Sequence, residues 1–182
     1  MKFPLSGLMI TLFLISFILL FSGFLHYWNP NITTLSGIFG NYNHKIYFFF
    51  LIAFLGCLCG LVYECTFNDI ISLCLYFSIA LSLLLLIWIS EDNTGTMRNK
   101  THVIFACISF SCVLLYILYN AIRRKDKIMY LLLPIGVFLF GKIIKDVLSY
   151  YNDLNNYPNL VFEEMSLVML FLLAFVRRGD YL

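Results

Sequence analysis

Apolar residues in this chain do not alternate, nor do they recur at helical spacing against a polar face. They run together in six blocks: Phe3 to Leu25, Ile46 to Tyr63, Ile70 to Ile89, Val103 to Ile122, Ile128 to Leu148 and Leu160 to Val176. A helix crossing about 30 Å of hydrocarbon at 1.5 Å per residue needs about 20 such residues, which four of the blocks reach and which Ile46 to Tyr63 and Leu160 to Val176 meet at the short end. Each block is far longer than the roughly 9–11 residues of a barrel strand, and lipid leaves open backbone groups unsatisfied, so the blocks predict α-helices. The expected fold is all-α: a polytopic membrane protein forming one six-helix transmembrane domain over residues 1–182, with helices at about 3–25, 46–63, 70–89, 103–122, 128–148 and 160–176.

Composition points the same way. Of 182 residues, 62% are hydrophobic and only 12% charged, against about 25% charged in a soluble domain. Polar surface of that extent cannot cover a core of this size in water. The net charge of +2 is small and the basic residues are scattered, which excludes a nucleic-acid partner. The expected partners are membrane lipids and other membrane proteins met through helix packing. Six cysteines at irregular spacing show neither a zinc pattern nor a secreted disulfide framework.

Lys2 before the first apolar block could suggest a cleaved signal, but such a signal has an apolar core of about 7–15 residues ending in small side chains. Here the block ends in Phe24-Leu25-His26-Tyr27-Trp28, which reads as a retained helix with an aromatic anchor. Six spans put Lys2, Arg123, Arg124, Lys125, Lys127, Arg177 and Arg178 on one side. Lys45, Arg98 and Lys100 lie on the other, joined by Lys142 and Lys145 near the end of the fifth block. The positive-inside rule then makes both termini cytoplasmic. The two N-x-S/T sequons, at Asn31 and Asn99, fall on the opposite, lumenal side and are the glycosylation candidates.

Ionisable groups in or beside a span are costly, so each is a candidate site with a partner to be found. His26 closes the first block, His102 opens the fourth, Lys142, Lys145 and Asp146 occupy the last turns of the fifth, and Glu163 and Glu164 open the sixth. All are expected on the lumenal face. Spacings of three and four residues put Lys142, Lys145 and Asp146 on one helical face, which could meet Glu163 or Glu164 across a short loop. One reading is a set of interfacial anchors that pair to hold helix ends together. The other is a polar cluster that binds a lipid headgroup or moves a proton. No nucleophile motif or phosphate-cradling glycine loop accompanies it, so no catalytic residue is assigned.

No cofactor and no metal are expected: His26, His44 and His102 lie at loop edges, and Cys57 and Cys59 point about 200° apart on a helix. Gly56 and Gly60 form G-x-x-x-G, a spacing that lets another helix approach closely. Pro134 stands one turn inside the fifth block and is expected to kink it. Cys65 is placed for reversible palmitoylation.

Several of these features together resemble the DRAM (damage-regulated autophagy modulator) family. They are His26-Tyr27-Trp28-Asn29-Pro30-Asn31-Ile32, then Ser36-Gly37-Ile38-Phe39-Gly40 leading to Ala53-Phe54-Leu55-Gly56, then His102 followed by Ala106 and Phe110. Glu163 or Glu164 and the closing Arg178-Gly179-Asp180 complete the likeness. The resemblance implies a multi-pass protein of lysosomal, Golgi or ER membranes, and it carries over His26, Pro30, His102 and Glu164 as the residues of interest. It implies a non-enzymatic regulator of autophagy or lysosomal membrane function, or alternatively a protein acting in remodelling the lipid of GPI anchors. A small transporter or channel fits least, because the two halves of the chain show no matched pair of Gly/Pro-broken helices.

Overall fold

The computed structural model describes the backbone of residues 2–27, 47–65, 69–89, 97–152 and 160–179. These residues form six α-helices and no strand: α1 Lys2–Tyr27, α2 Tyr47–Cys65, α3 Ile70–Trp88, α4 Met97–Arg124, α5 Lys127–Asn152 and α6 Val161–Gly179. Five of the six predicted starts fall within one residue of the observed ones. The exception is α4, which begins six residues before Val103 because Met97 to His102, though polar, contains no residue that breaks a helix.

Each helix packs on the next in sequence, α1 closes the ring against α6, and α4 reaches across to α6. Tight connections enforce this order. Asp69 caps α3, its side chain accepting from the Ser72 N–H. Between α4 and α5 the chain turns on Lys125, the one non-glycine residue with a positive φ among the described residues (54°). Asp126 then receives Ile128 N–H at 2.9 Å, meeting one of the free donors at the α5 start.

The interior holds Met9 and Phe13 of α1, Cys57 of α2, Tyr76 and Ile79 of α3, Tyr116 and Ile117 of α4, and Leu167 and Phe171 of α6. Phe13 and Phe171 meet edge to face at 5.5 Å, fastening α1 to α6. Gly56 and Gly60 are both buried, and each admits an aromatic ring from a different neighbour. The Phe13 ring lies 3.1 Å from where a Gly56 Cβ would stand, and a Cβ on Gly60 would run into the Tyr76 ring. The G-x-x-x-G pattern therefore serves packing inside the bundle, on two helices at once. Pro134 lies inside α5, which continues through it.

The outward faces are apolar too. Ile70 is 73% exposed and Phe138 71%, and Ile18, Phe77 and Leu131 stand out in the same way. Among the described residues, two helices are long and apolar enough to cross a membrane, Lys100–Arg123 of α4 and Lys127–Ser149 of α5; the apolar stretches Gly7–Ser22, Leu51–Cys65 and Ile70–Leu86 are shorter.

Candidate functional site

Polar groups inside the bundle collect along the seam between α3 and α4. Arg123 pairs with Asp69 at one end. Two turns further along α4 the Tyr76 hydroxyl donates to the Tyr116 hydroxyl at 3.4 Å. Two turns on, the Ser82 and Ser109 hydroxyls lie 2.6 Å apart. Two turns further still, His102 Nδ1 meets the Ile89 carbonyl oxygen at 2.5 Å. On α4 the four contributors, His102, Ser109, Tyr116 and Arg123, recur every seven residues, which brings a side chain back to nearly the same face of a helix.

Protons can be assigned along the seam. The Ser82 hydroxyl already donates to the Ile79 carbonyl at 2.9 Å, so the Ser109 hydroxyl is the donor between the two serines. The Ile89 carbonyl can only accept, so His102 carries a proton on Nδ1. The histidine thus holds the carbonyl of Ile89, the residue that caps the end of α3.

The Arg123 end is the most densely bonded. Asp69 Oδ1 accepts from the Tyr119 hydroxyl at 2.8 Å, and that hydroxyl accepts in turn from Arg123 Nη1 at 2.7 Å. The Ser72 hydroxyl donates to Asp69 Oδ2 at 3.1 Å. Burial pushes the Asp69 carboxyl up, but hydrogen bonds from Tyr119 and from the Ser72 backbone and hydroxyl, with the Arg123 charge behind them, outweigh it and hold the group below the ordinary aspartate range. Glu64, fully buried in the last turn of α2, and Asn120, whose Oδ1 is buried with no hydrogen-bond partner, belong to the same end.

At the opposite end Lys142 pairs with Glu163. Glu163 is buried and its second oxygen, Oε2, has no hydrogen-bond partner. Of the face expected to meet α6, Lys142 makes the contact. Lys145 is exposed and Asp146 is half-buried. Two expected placements need correcting. α5 runs on to Asn152, so Lys142 lies well inside the helix and not in its last turns. α4 starts at Met97, so His102 is buried in the second turn and its backbone N–H is not one of the free N-terminal donors. Glu164 does sit in the first turn of α6, though its N–H is already bonded to the Leu160 carbonyl at 3.0 Å.

His26 falls in the last turn of α1 and Asn99 in the first turn of α4, but their side chains are outside the described residues, as are Asn31, Pro30 and His44 altogether. Among the described residues no three His, Cys, Asp or Glu side chains come together as metal ligands would. Comparison with known proteins gives no family model, no curated protein and no solved structure that matches the chain.

The Asp69, Tyr119 and Arg123 cluster was not singled out from the sequence. Its signal was nevertheless present: polar residues at seven-residue intervals through an otherwise apolar helix, and Asp69 three residues before Ser72 at the head of an apolar run.

Proposed function

We propose that the chain is an integral membrane protein that crosses the bilayer with all six helices, both termini cytoplasmic, in an endomembrane of the lysosome, Golgi or ER. Its expected role is that of a non-enzymatic regulator of the DRAM type that binds a lipid headgroup at its lumenal, His102 end. The observation that carries this reading is the distribution of polarity. Large apolar side chains face outward along α1 to α6, while the Asp69–Arg123 and Lys142–Glu163 pairs lie toward opposite ends. A soluble protein rarely exposes contiguous apolar surface on that scale.

Two further observations support it. The helices contain from 19 to 28 residues, or about 28–42 Å at 1.5 Å per residue, commensurate with about 30 Å of hydrocarbon. Hydroxyls on the outer parts of the helices bend back onto their own backbone, Thr11 to Gly7 O at 2.8 Å, Ser78 to Cys74 O at 2.9 Å and Ser166 to Phe162 O at 2.7 Å. That satisfies them without water. For the site, Glu164 of α6 and His102 of α4 stand on touching helices toward the same end, which suits a zwitterionic or anionic headgroup.

Cys65, exposed at the end of α2, tests the orientation without any substitution in the core. In sealed organelle vesicles an impermeant maleimide should label Cys65 from the cytoplasmic side, and labelling only after the lumen is opened overturns the topology. Phospholipid binding that is unchanged by both His102→Ala and Glu164→Gln overturns the headgroup site. Hydrolysis or transfer of a GPI or phospholipid ester by the purified protein replaces the regulator with an enzyme.

A further inference from the structure

α4 and α5 are pressed together near their middles and leave space between them toward the His102 end. At the close point Gly136 of α5 receives Leu114 of α4, and a Cβ on Gly136 would run into that leucine. Beyond it an open groove of ≈ 430 Å³ lies between the helices, walled by Val103, Cys107 and Cys112 of α4 and by Ile144, Val147 and Leu148 of α5. Ser111 contributes the only hydroxyl to its lining.

The length of the groove decides what can fill it. From Val103 to Cys112 the rise is about 13 Å at 1.5 Å per residue, and one leaflet of hydrocarbon is about 15 Å, half of about 30 Å. The groove therefore runs from the lumenal boundary toward the midplane, its α4 lining ending at Cys112, two residues short of Leu114, which packs on Gly136. A transmembrane helix from another protein needs a channel through the full thickness. An acyl chain from one leaflet needs only this half.

At the mouth stands Lys100, three and seven residues before Val103 and Cys107, hence on the same face of α4, and exposed. An ammonium on a flexible stem at that depth suits the phosphate of a glycerophospholipid.

We infer that the α4–α5 groove is a resident site for one acyl chain of a lumenal-leaflet phospholipid, with the lipid phosphate at Lys100. The site rests on the membrane-spanning reading above and is separate from the headgroup contact at His102. Filling the groove excludes a void beside the Phe110–Phe140 ring contact (centroids 6.4 Å apart) and adds to the packing of α4 on α5.

The test uses the full chain in nanodiscs of phosphatidylcholine and phosphatidylglycerol. Released into native mass spectrometry, the unsubstituted protein should keep one phospholipid. Ser111→Trp, which fills the groove, should lower that retention by about tenfold or more, the factor that losing two buried methylenes carries. Phe77→Trp, on the outward face of α3, should leave it unchanged. Lys100→Gln should weaken retention of both phospholipids several-fold; a sterol in the groove would be indifferent to it, and retention that Lys100→Gln leaves unchanged overturns the phosphate assignment, as does recovery of the mass of a free fatty acid, whose carboxylate also pairs with lysine, in place of a phospholipid.

A second measurement needs no substitution. A phosphatidylcholine with a diazirine in its acyl chain should crosslink mainly to residues 103–112 and 144–148, and adducts spread evenly over all outward faces overturn the site. Equal lipid retention by Ser111→Trp and the unsubstituted protein does the same, as does a protein dimer appearing in place of the lipid adduct. Recovery of the chain in aqueous solution without detergent overturns the membrane-spanning reading itself.

Discussion

Tyr76 of α3 and Tyr116 of α4 meet edge to face with ring centroids 5.0 Å apart, and the Tyr76 hydroxyl points both to the Tyr116 hydroxyl and, at 3.9 Å, to Met9 Sδ of α1. Both tyrosines are fully buried. A phenol here brings a large apolar ring and a polar tip into the same place, and the tip must find a partner away from water. Three helices converge on that one side chain, and a fourth, α2, makes room for it at Gly60.

The ring should therefore matter more than the hydroxyl. Tyr76→Phe gives up a neutral hydrogen bond, worth about 0.5–1.5 kcal/mol in general and about 0.6 on average inside a membrane protein. Tyr76→Ala removes the ring and leaves a cavity, at about 3–5 kcal/mol. Unfolding in a denaturing detergent titration should rank unsubstituted, Phe and Ala in that order. Comparable losses for Phe and Ala would mean that the hydroxyl network carries the interface.

Glycines in this bundle fall into two kinds. A Cβ at Gly60 meets the Tyr76 ring, while Gly141 of α5 has nothing within 4 Å. Gly60→Ala should be destabilising by about 1–3 kcal/mol through overpacking. Gly141→Ala should be neutral or stabilising by up to about 1 kcal/mol, the helix propensity gained. In the Tyr76→Ala background the Gly60→Ala penalty should vanish, since the ring it strikes is gone. A penalty that persists there would locate the strain elsewhere.

The helices were legible because long apolar blocks leave a lipid-facing backbone few alternatives, and their starts were legible where the blocks begin, as at Ile70 and Ile128; the capping side chains Asp69 and Asp126 emerge from the structure. The start of α4 was not. Hydropathy reports where a chain can enter lipid, and the helix continues beyond that boundary through Arg98, Asn99 and Lys100 because helical hydrogen bonding is indifferent to it. For the candidate site, the ionic contact between α5 and α6 followed from the cost of an unpaired charge and from chain proximity, and the lysine that makes it was among those named. The α3–α4 seam depends on how two antiparallel helices are staggered. Tyr76 and Tyr116, or Ser82 and Ser109, announce nothing separately, and only the register of packed side chains joins them.

Asp69 gives the fold a dependence on pH with a definite sign. Its carboxyl is held below the ordinary range in the folded protein by Tyr119, Ser72 and Arg123, so the folded state binds its proton less readily than the unfolded chain does. The resulting stability is fully present above the unfolded value, about 3.9, and is lost as pH falls through the lower folded value. Asp69→Asn should be less stable than the unsubstituted protein at pH 7, and the gap should narrow on acidification below about pH 4. Thermal unfolding of both proteins in detergent from pH 7 to 3 measures it. A gap that stays constant would mean that the hydrogen-bond geometry, kept by asparagine in part, outweighs the charge.

The pairing of Lys142 with Glu163 joins a half-exposed cation to a buried anion, and the asymmetry sets what each substitution does. Removing Lys142 leaves a carboxylate that cannot reach water and that already has one oxygen, Oε2, without a hydrogen-bond partner. Removing Glu163 frees a lysine that can extend toward solvent on its flexible stem. Lys142→Met should therefore destabilise the protein more than Glu163→Gln, and more than Lys145→Met, whose side chain is exposed. Adding Glu163→Gln to Lys142→Met should restore part of the loss, because the second substitution removes the stranded charge. Those four proteins, compared by unfolding at pH 7, separate an ion pair that stabilises the α5–α6 contact from a charge neutralised for its burial alone. If Lys142→Met and Lys145→Met unfold together, the pair contributes nothing to stability and the buried Glu163 is held by its surroundings instead.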